Sequence, residues 1–193
     1  MRPTNLSRQL GSSLLEVLVA ILILSFGMLA LSGMLAFSVQ MPKLAAYRAT
    51  ATALAAAHVE RMRANPTGYR NGSYSMVMTY PEGSVLDAPS ANTTLCLYPN
   101  CTADTIADRD RYETRYAIQK QLHPNAGMRV RCTGAAPNCL NLDGDLWIMW
   151  QEPSTFASLD AGAADECPDS GATPTFTPFG TPKPRCLHVR FKL

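Results

Sequence analysis

Three residues near the start of this 193-residue chain are placed for chemistry: Gly11, Ser12 and Glu16. Gly11 and Ser12 stand between a basic leader, which carries Arg2 and Arg8 and no acid, and a long apolar run. Hydrolysis of the bond between them would leave a new amine on Ser12. Glu16 is the one carboxylate at the head of that run, since the 23 residues from Val17 to Val39 carry no charge. An acid inside an apolar membrane helix is costly, by about 2.5–3.5 kcal/mol for Asp near the centre and less near the interface. Two readings follow. Either Glu16 stays hydrated at the headgroup level, or a partner arrives from another molecule, and the Ser12 amine of a neighbouring copy is such a partner.

The second set of reactive side chains is six cysteines, Cys96, Cys101, Cys132, Cys139, Cys167 and Cys186, all beyond the apolar run. An even number on one side of a membrane fits an oxidising compartment and disulfides. Six cysteines allow 15 pairings. The close spacing within 96/101, 132/139 and 167/186 makes sequential pairing the simplest proposal. Zinc is the weaker reading, because structural sites use C-x2-4-C pairs and the intervals here are four, six and eighteen residues. No cofactor and no metal are expected.

The run that carries Glu16 is long enough to span a bilayer: at 1.5 Å per residue, Val17 to Val39 makes a helix of roughly 34 Å against a hydrocarbon core of about 30 Å. Arg2 and Arg8 place the N-terminus in the cytoplasm by the positive-inside bias, and the cysteine-bearing remainder outside it. The net charge of +2 comes from these two residues, the rest of the chain carrying 15 basic and 15 acidic groups. A balanced body gives no electrostatic argument for nucleic acid. A secretory signal peptide is the competing reading, with Ala30-Leu31-Ser32 offering a small-x-small cleavage site before Gly33. Against it stand the length of the run, beyond an h-region of 7–15 residues, and Glu16 at its start.

The stretch GSSLLEVLVAILIL, from Gly11, resembles the class III signal of type IV pilins and type II secretion pseudopilins. The resemblance implies that a prepilin peptidase cuts after Gly11 on the cytoplasmic side, that Ser12 becomes the N-methylated mature N-terminus, and that Glu16, the fifth mature residue, governs assembly. The departure is Ser12, where that family usually has Phe or Met. The family's hydrophobic helices leave the bilayer and pack as the core of a filament, and here Ala20, Gly27, Ala30, Ser32, Gly33 and Ala36 permit close helix approach.

Beyond a kink expected at Pro42, residues 43–63 are rich in good helix formers. Leu44, Tyr47, Ala51, Leu54, Ala55, His58 and Met62 recur at three- and four-residue steps and define an apolar stripe that should pack on a sheet. His58 on that stripe reads as a core histidine. Asn65-Pro66-Thr67-Gly68 ends the helix. The stretch ERMRANPTGY, Glu60 to Tyr69, resembles the end of the long helix in minor pilins of the PilV type. Arg61 and Arg63 read either as a solvated helix end, favoured by the dipole, or as partner-binding groups.

The remainder reads as one disulfide-stapled α+β domain. Tyr74, Met76, Met78 and Tyr80 alternate as in a half-buried strand, as do Met128, Val130 and Cys132 against Arg129 and Arg131, and Leu187, Val189, Phe191 and Leu193 against His188, Arg190 and Lys192. Leu146 to Trp150 reads as a buried strand, its tryptophans as core. Asp104 to Leu122, with Tyr112/Tyr116 and Ile118/Leu122 at four-residue spacing, predicts a short surface helix, closed by 123–127. Asn141, Asp143, Asp145 and Glu152 fall at positions 1, 3, 5 and 12 of a calcium loop. The sixth position is Leu146 where glycine is required, so Asp143-Gly144 is read instead as a hairpin turn with glycine at positive φ. Asn92-Thr93-Thr94 matches a glycosylation sequon by chance. The stretch between Cys167 and Cys186, crowded with Pro, Gly and Thr, forms a closed loop, in pilins a region of subunit contacts and exposed surface.

The expected organisation is a basic leader (1–11), a transmembrane or assembly half of a long helix (12–41), its soluble half (42–65) and the globular domain (66–193). The expected fold is a pilin-like roll, the long helix packed on an antiparallel sheet of about four strands. No catalytic constellation is present: no G-x-S-x-G, no H-E-x-x-H, no phosphate loop. The expected function is a structural subunit, a minor pilin of the PilV type that primes pilus assembly. Its implied partners are the prepilin peptidase, other minor pilins, the major pilin and an adhesin at the tip. Its implied location is the bacterial inner membrane, as a single-pass protein with a periplasmic C-terminal domain, and then the pilus. A minor pseudopilin of a type II secretion system is the alternative; a secreted disulfide-rich binding module and a membrane-tethered enzyme are alternatives from other classes.

Overall fold

A computed structural model describes residues 13–76, 79–81, 83–91, 96, 99–133, 139–152, 167 and 184–193. Gly11, Ser12, Met78, the 92–94 sequon and most of the 167–186 loop lie outside them. The chain divides into two compact units, Met1–Lys43 and Leu44–Leu193. Helix α1, Leu14–Ala64, contributes to both.

In the first unit α1 has no core of its own. Its large apolar side chains are exposed throughout, from Leu14 at 78 % to Met41 at 42 %. The hydroxyls of Ser25 and Ser32 each donate to the carbonyl four residues back, Ile21 O at 2.7 Å and Met28 O at 2.8 Å. Both polar groups are thereby satisfied within the helix, as an apolar surrounding demands. Pro42 stands inside α1 and does not end it; lacking an amide hydrogen, it leaves the carbonyl of Ser38 without its helical donor.

In the second unit the α1 stripe is the floor of the core. Ala51, Ala55, His58, Val59 and Met62 are buried, with Tyr47 and Leu54 packed at the margin. Val59 joins the stripe, four residues after Ala55 and three before Met62. The helix stops at Asn65, whose side chain accepts from Gly68 N at 3.2 Å and caps the five-residue α2, Pro66–Arg70, with Pro66 in its first turn.

Helix α3, Ala103–Gln121, matches the predicted surface helix, and one of its faces is core: Ala107, Thr114, Ile118 and Gln119 are buried. It starts with a capping box between Thr102 and Thr105. Gln119 faces the preceding loop, accepting from Leu86 N at 2.8 Å and donating to Ser84 O at 2.9 Å.

Strands β1 (Gly127–Cys132), β2 (Asp143–Trp150) and β3 (Arg185–Lys192) form an antiparallel sheet in the order β1-β2-β3. Met128, Val130, Leu146, Ile148, Trp150 and Phe191 supply its core side, against Tyr69 and Tyr74. The segment expected to be a further strand runs along β1 in part. Met76 bridges Val130, and Thr79 N donates to Met128 O at 3.2 Å. It comes close because Gly127 has no side chain: a Cβ there would lie 2.7 Å from Thr79 Oγ1. Tyr74, at its start, belongs to a turn. The long helix and this small sheet make the α+β, pilin-like arrangement expected.

One turn is corrected. Asp143, Gly144 and Asp145 lie in β2, paired with β3 residues Lys192, Phe191 and Arg190. The positive φ belongs to Leu142, at 58°. Gly144 is required for packing, not for a turn: a Cβ would meet Arg131 O at 2.7 Å and Phe191 Cζ at 3.0 Å, as well as the Tyr69 hydroxyl. With its aspartates in a strand, the calcium-loop spacing does not curl around an ion.

Candidate functional site

Glu16 occupies the first turn of α1, where Glu16 N and Val17 N donate to Ser13 O at 2.8 and 3.2 Å. A carboxylate there complements the positive end of the helix dipole. Its side chain is exposed, and so are the neighbouring apolar residues. The segment thus presents one acid at the head of an uncovered apolar surface. Gly27 and Gly33 have no atom within 4 Å of where a Cβ would be. Among the described residues nothing requires those glycines, and their lack of a side chain would permit close approach by another helix.

The end of α1 is tied to α3 by a polar network. Arg61 Nη1 lies 2.5 Å from Glu113 Oε2 and 3.4 Å from Asp110 Oδ1, and Arg109 Nε lies 2.8 Å from Glu113 Oε1. Tyr74 donates its hydroxyl to Asp110 Oδ2 at 2.5 Å, and Asn65 Nδ2 donates to Ala103 O at 2.7 Å. Arg109 also reaches Cys96 O at 2.9 Å, at the foot of the small disulfide loop. The polar residues of ERMRANPTGY are therefore largely architectural, beside its buried Met62 and Tyr69: Arg61 is an internal ion-pair partner and Asn65 a cap and cross-link. Arg63, half-exposed, is the more solvated of the two arginines; it pairs with Glu60 and donates to Lys192 O at 3.4 Å. Burial opposes ionisation of Glu113, but hydrogen bonds from Arg61 and Arg109 outweigh it and hold its carboxyl below the ordinary value.

His58, outside the apolar span 17–39, is wholly buried, with Nδ1 2.8 Å from Thr114 Oγ1. That hydroxyl donates to Asp110 O at 2.8 Å. It therefore accepts from His58, which fixes the Nδ1–H tautomer. Burial, then the charges of Arg61 and Arg111, push the imidazole down to about 3.

The outer side of the sheet carries a second polar cluster. Trp147 stacks on His188 with ring centroids 4.8 Å apart, under the guanidinium groups of Arg129 and Arg131, each 5.6 Å from the indole centre. His188 Nε2 lies 2.9 Å from Asp145 Oδ1. At the far end of β2 a buried pair, Glu152 and Arg185 at 3.1 Å, closes the base of the 153–184 connection.

The cysteines are joined as Cys96–Cys101, Cys132–Cys139 and Cys167–Cys186, with Cα separations of 5.3, 5.5 and 4.9 Å, ordinary for disulfides. The first closes the entry to α3, the second the β1–β2 connection, and the third ties the 153–184 segment to β3. Among the described residues no cluster of three or more His, Cys, Asp or Glu could hold a metal ion.

Residues 6–32 match the family described as the prokaryotic N-terminal methylation motif. Neither the characterised proteins nor the solved structures compared with the chain gave a match. The matched stretch contains Gly11, Ser12 and Glu16 and most of the uncovered apolar surface of α1. Such a motif implies processing by a prepilin peptidase and assembly with other pilins, and one apolar N-terminal helix fits a membrane anchor. Motif and helix together support a type IV pilin-like protein, of a pilus or of a secretion pseudopilus.

Proposed function

We propose that this chain is a minor pilin of a type IV pilus, of the PilV type: a non-enzymatic structural subunit that joins other minor pilins in the complex priming pilus assembly, and so supports twitching motility and adhesion. The observation that carries this reading is Glu16, an exposed acid at the head of an uncovered apolar helix within a prepilin-type motif. In this account the peptidase hydrolyses the Gly11–Ser12 bond, and the Ser12 amine, methylated, pairs with the Glu16 carboxylate of a neighbouring subunit. That pairing offsets the cost of placing the acid among apolar helices. The helix is held in the inner membrane with the disulfide-bonded domain in the periplasm, then moves into the filament core. Cys167–Cys186 keeps the loop it bounds available for subunit contacts.

A minor pseudopilin of a type II secretion system would share the same N-terminus. The resemblance of ERMRANPTGY to the end of the long helix in minor pilins of the PilV type, together with the three disulfides, supports the pilus; in this domain Arg61 and Asn65 of that stretch build the α1–α3 junction. Deletion of the gene, scored for twitching against protein export, separates the two. Loss of twitching with normal export is the expected result; the reverse assigns the chain to the secretion pseudopilus.

A further inference from the structure

The α1–α3 seam contains a buried titratable group that the pilin reading does not use. His58 Nδ1–H is committed to Thr114 Oγ1, and Nε2 is buried with no hydrogen-bond partner among the described residues. Among the described residues, the groups around it leave no free acceptor for a second N–H. From α1, Arg61 is a cation; from α3, Asp110 is engaged by Arg61 and by Tyr74, and Glu113 by Arg61 and Arg109. Arg111 of α3 adds a second cation, with its Nε also buried and unpartnered while the group pairs with Asp108. Tyr74 presents only its ring to the imidazole, at 5.9 Å and near-perpendicular. The core side of the sheet is apolar.

We propose that His58 makes the α1–α3 seam an acid-sensitive joint, closed while the imidazole is neutral and opened when it takes a proton. Protonation at Nε2 creates an N–H without an acceptor and a charge between Arg61 and Arg111, in a site that water does not reach. The proton is accepted only if α3 moves away from α1 and lets solvent in. The neutral form is favoured in the closed state, so the seam's stability is fully present above the range where free imidazole titrates and is lost as pH falls below it. One proton taken up on opening changes the closed-to-open ratio by up to tenfold per pH unit. This inference concerns the soluble unit alone and does not depend on the pilus assignment.

The test is hydrogen exchange on the purified full chain in detergent micelles between pH 7 and pH 4, comparing wild type with His58→Gln and His58→Phe. In wild type, protection of α3 and of residues 50–64 should fall about tenfold per pH unit below about 6.5, while β2 keeps its protection. Both variants should lose that slope. An equal slope in the variants, or simultaneous loss from β2, overturns the proposal. Should neither variant fold, 15N imidazole spectra of the wild type decide: the neutral Nδ1–H tautomer must persist as long as α3 is protected, and a protonated His58 in a closed seam contradicts the joint.

Discussion

Arg61 of α1 reaches Glu113 of α3 at 2.5 Å, a contact between residues 52 positions apart that joins the end of the long helix to the domain it carries. Both groups are partly open to solvent, Arg61 at 39 % and Glu113 at 24 %, so screening limits what the pair contributes. Arg61→Ala should lower unfolding stability by about 1 kcal/mol, measured in urea. Arg63→Ala should be within about 0.5 kcal/mol of wild type.

The same pair predicts an acid response distinct from that of His58. Glu113 is held below its ordinary value of 4.5 when folded. Its contribution is therefore present above the unfolded value and lost as pH falls through the folded one. Stability measured from pH 6 to pH 3 should decline less steeply in Glu113→Gln than in wild type, the difference appearing below about 4.5.

Gly144 is surrounded by Tyr69, Arg131 and Phe191. Gly144→Ala should overpack this point and cost about 1–3 kcal/mol, weakening the bond from the Tyr69 hydroxyl to Asp143 O, now 2.9 Å. Gly83, where a Cβ would meet nothing within 4 Å, is the control: Gly83→Ala should change urea stability by less than about 0.5 kcal/mol.

These residues also show what the sequence makes legible. Period-two alternation identifies β1 and β3, while β2 is legible as a continuous apolar run because nearly all of it is buried; the 3.6-residue period identifies the second half of α1 and α3, each of which has one face on the core. Alternation at 74–80 predicts a strand, yet Tyr74 is drawn into a turn by its hydroxyl bond to Asp110, a contact 36 residues away that local pattern does not carry. Asp-Gly at 143–144 has turn chemistry, but the crowding by Tyr69 and Phe191 that demands a glycine there comes from tertiary packing. Arg61 could be read as solvated or as binding, since its partners lie on another helix. The Thr102/Thr105 box is hard to read from sequence because such boxes usually close with Glu or Gln at the third position. Gly11 and Glu16 stand out because they fall in a short motif that residues 6–32 match, a signal that needs no fold.

Gly27 offers a way to test assembly apart from folding. Gly27→Leu adds a side chain where the chain itself has no neighbour within 4 Å, so the domain should unfold at the wild-type urea midpoint. Packing against another helix should suffer, and recovery in sheared filaments relative to total cell protein should drop several-fold. Glu16→Ala should show the same division. Wild-type recovery of both variants would remove this surface from assembly.

The most direct measurement is the mass and N-terminal sequence of the mature protein from cells with and without prepilin peptidase. The mature chain should begin at methylated Ser12, and should retain residues 1–11 when the peptidase is missing or when Gly11 is replaced by a bulky residue. A mature chain beginning near Gly33, or a mass indifferent to the peptidase and to Gly11, would contradict the pilin reading.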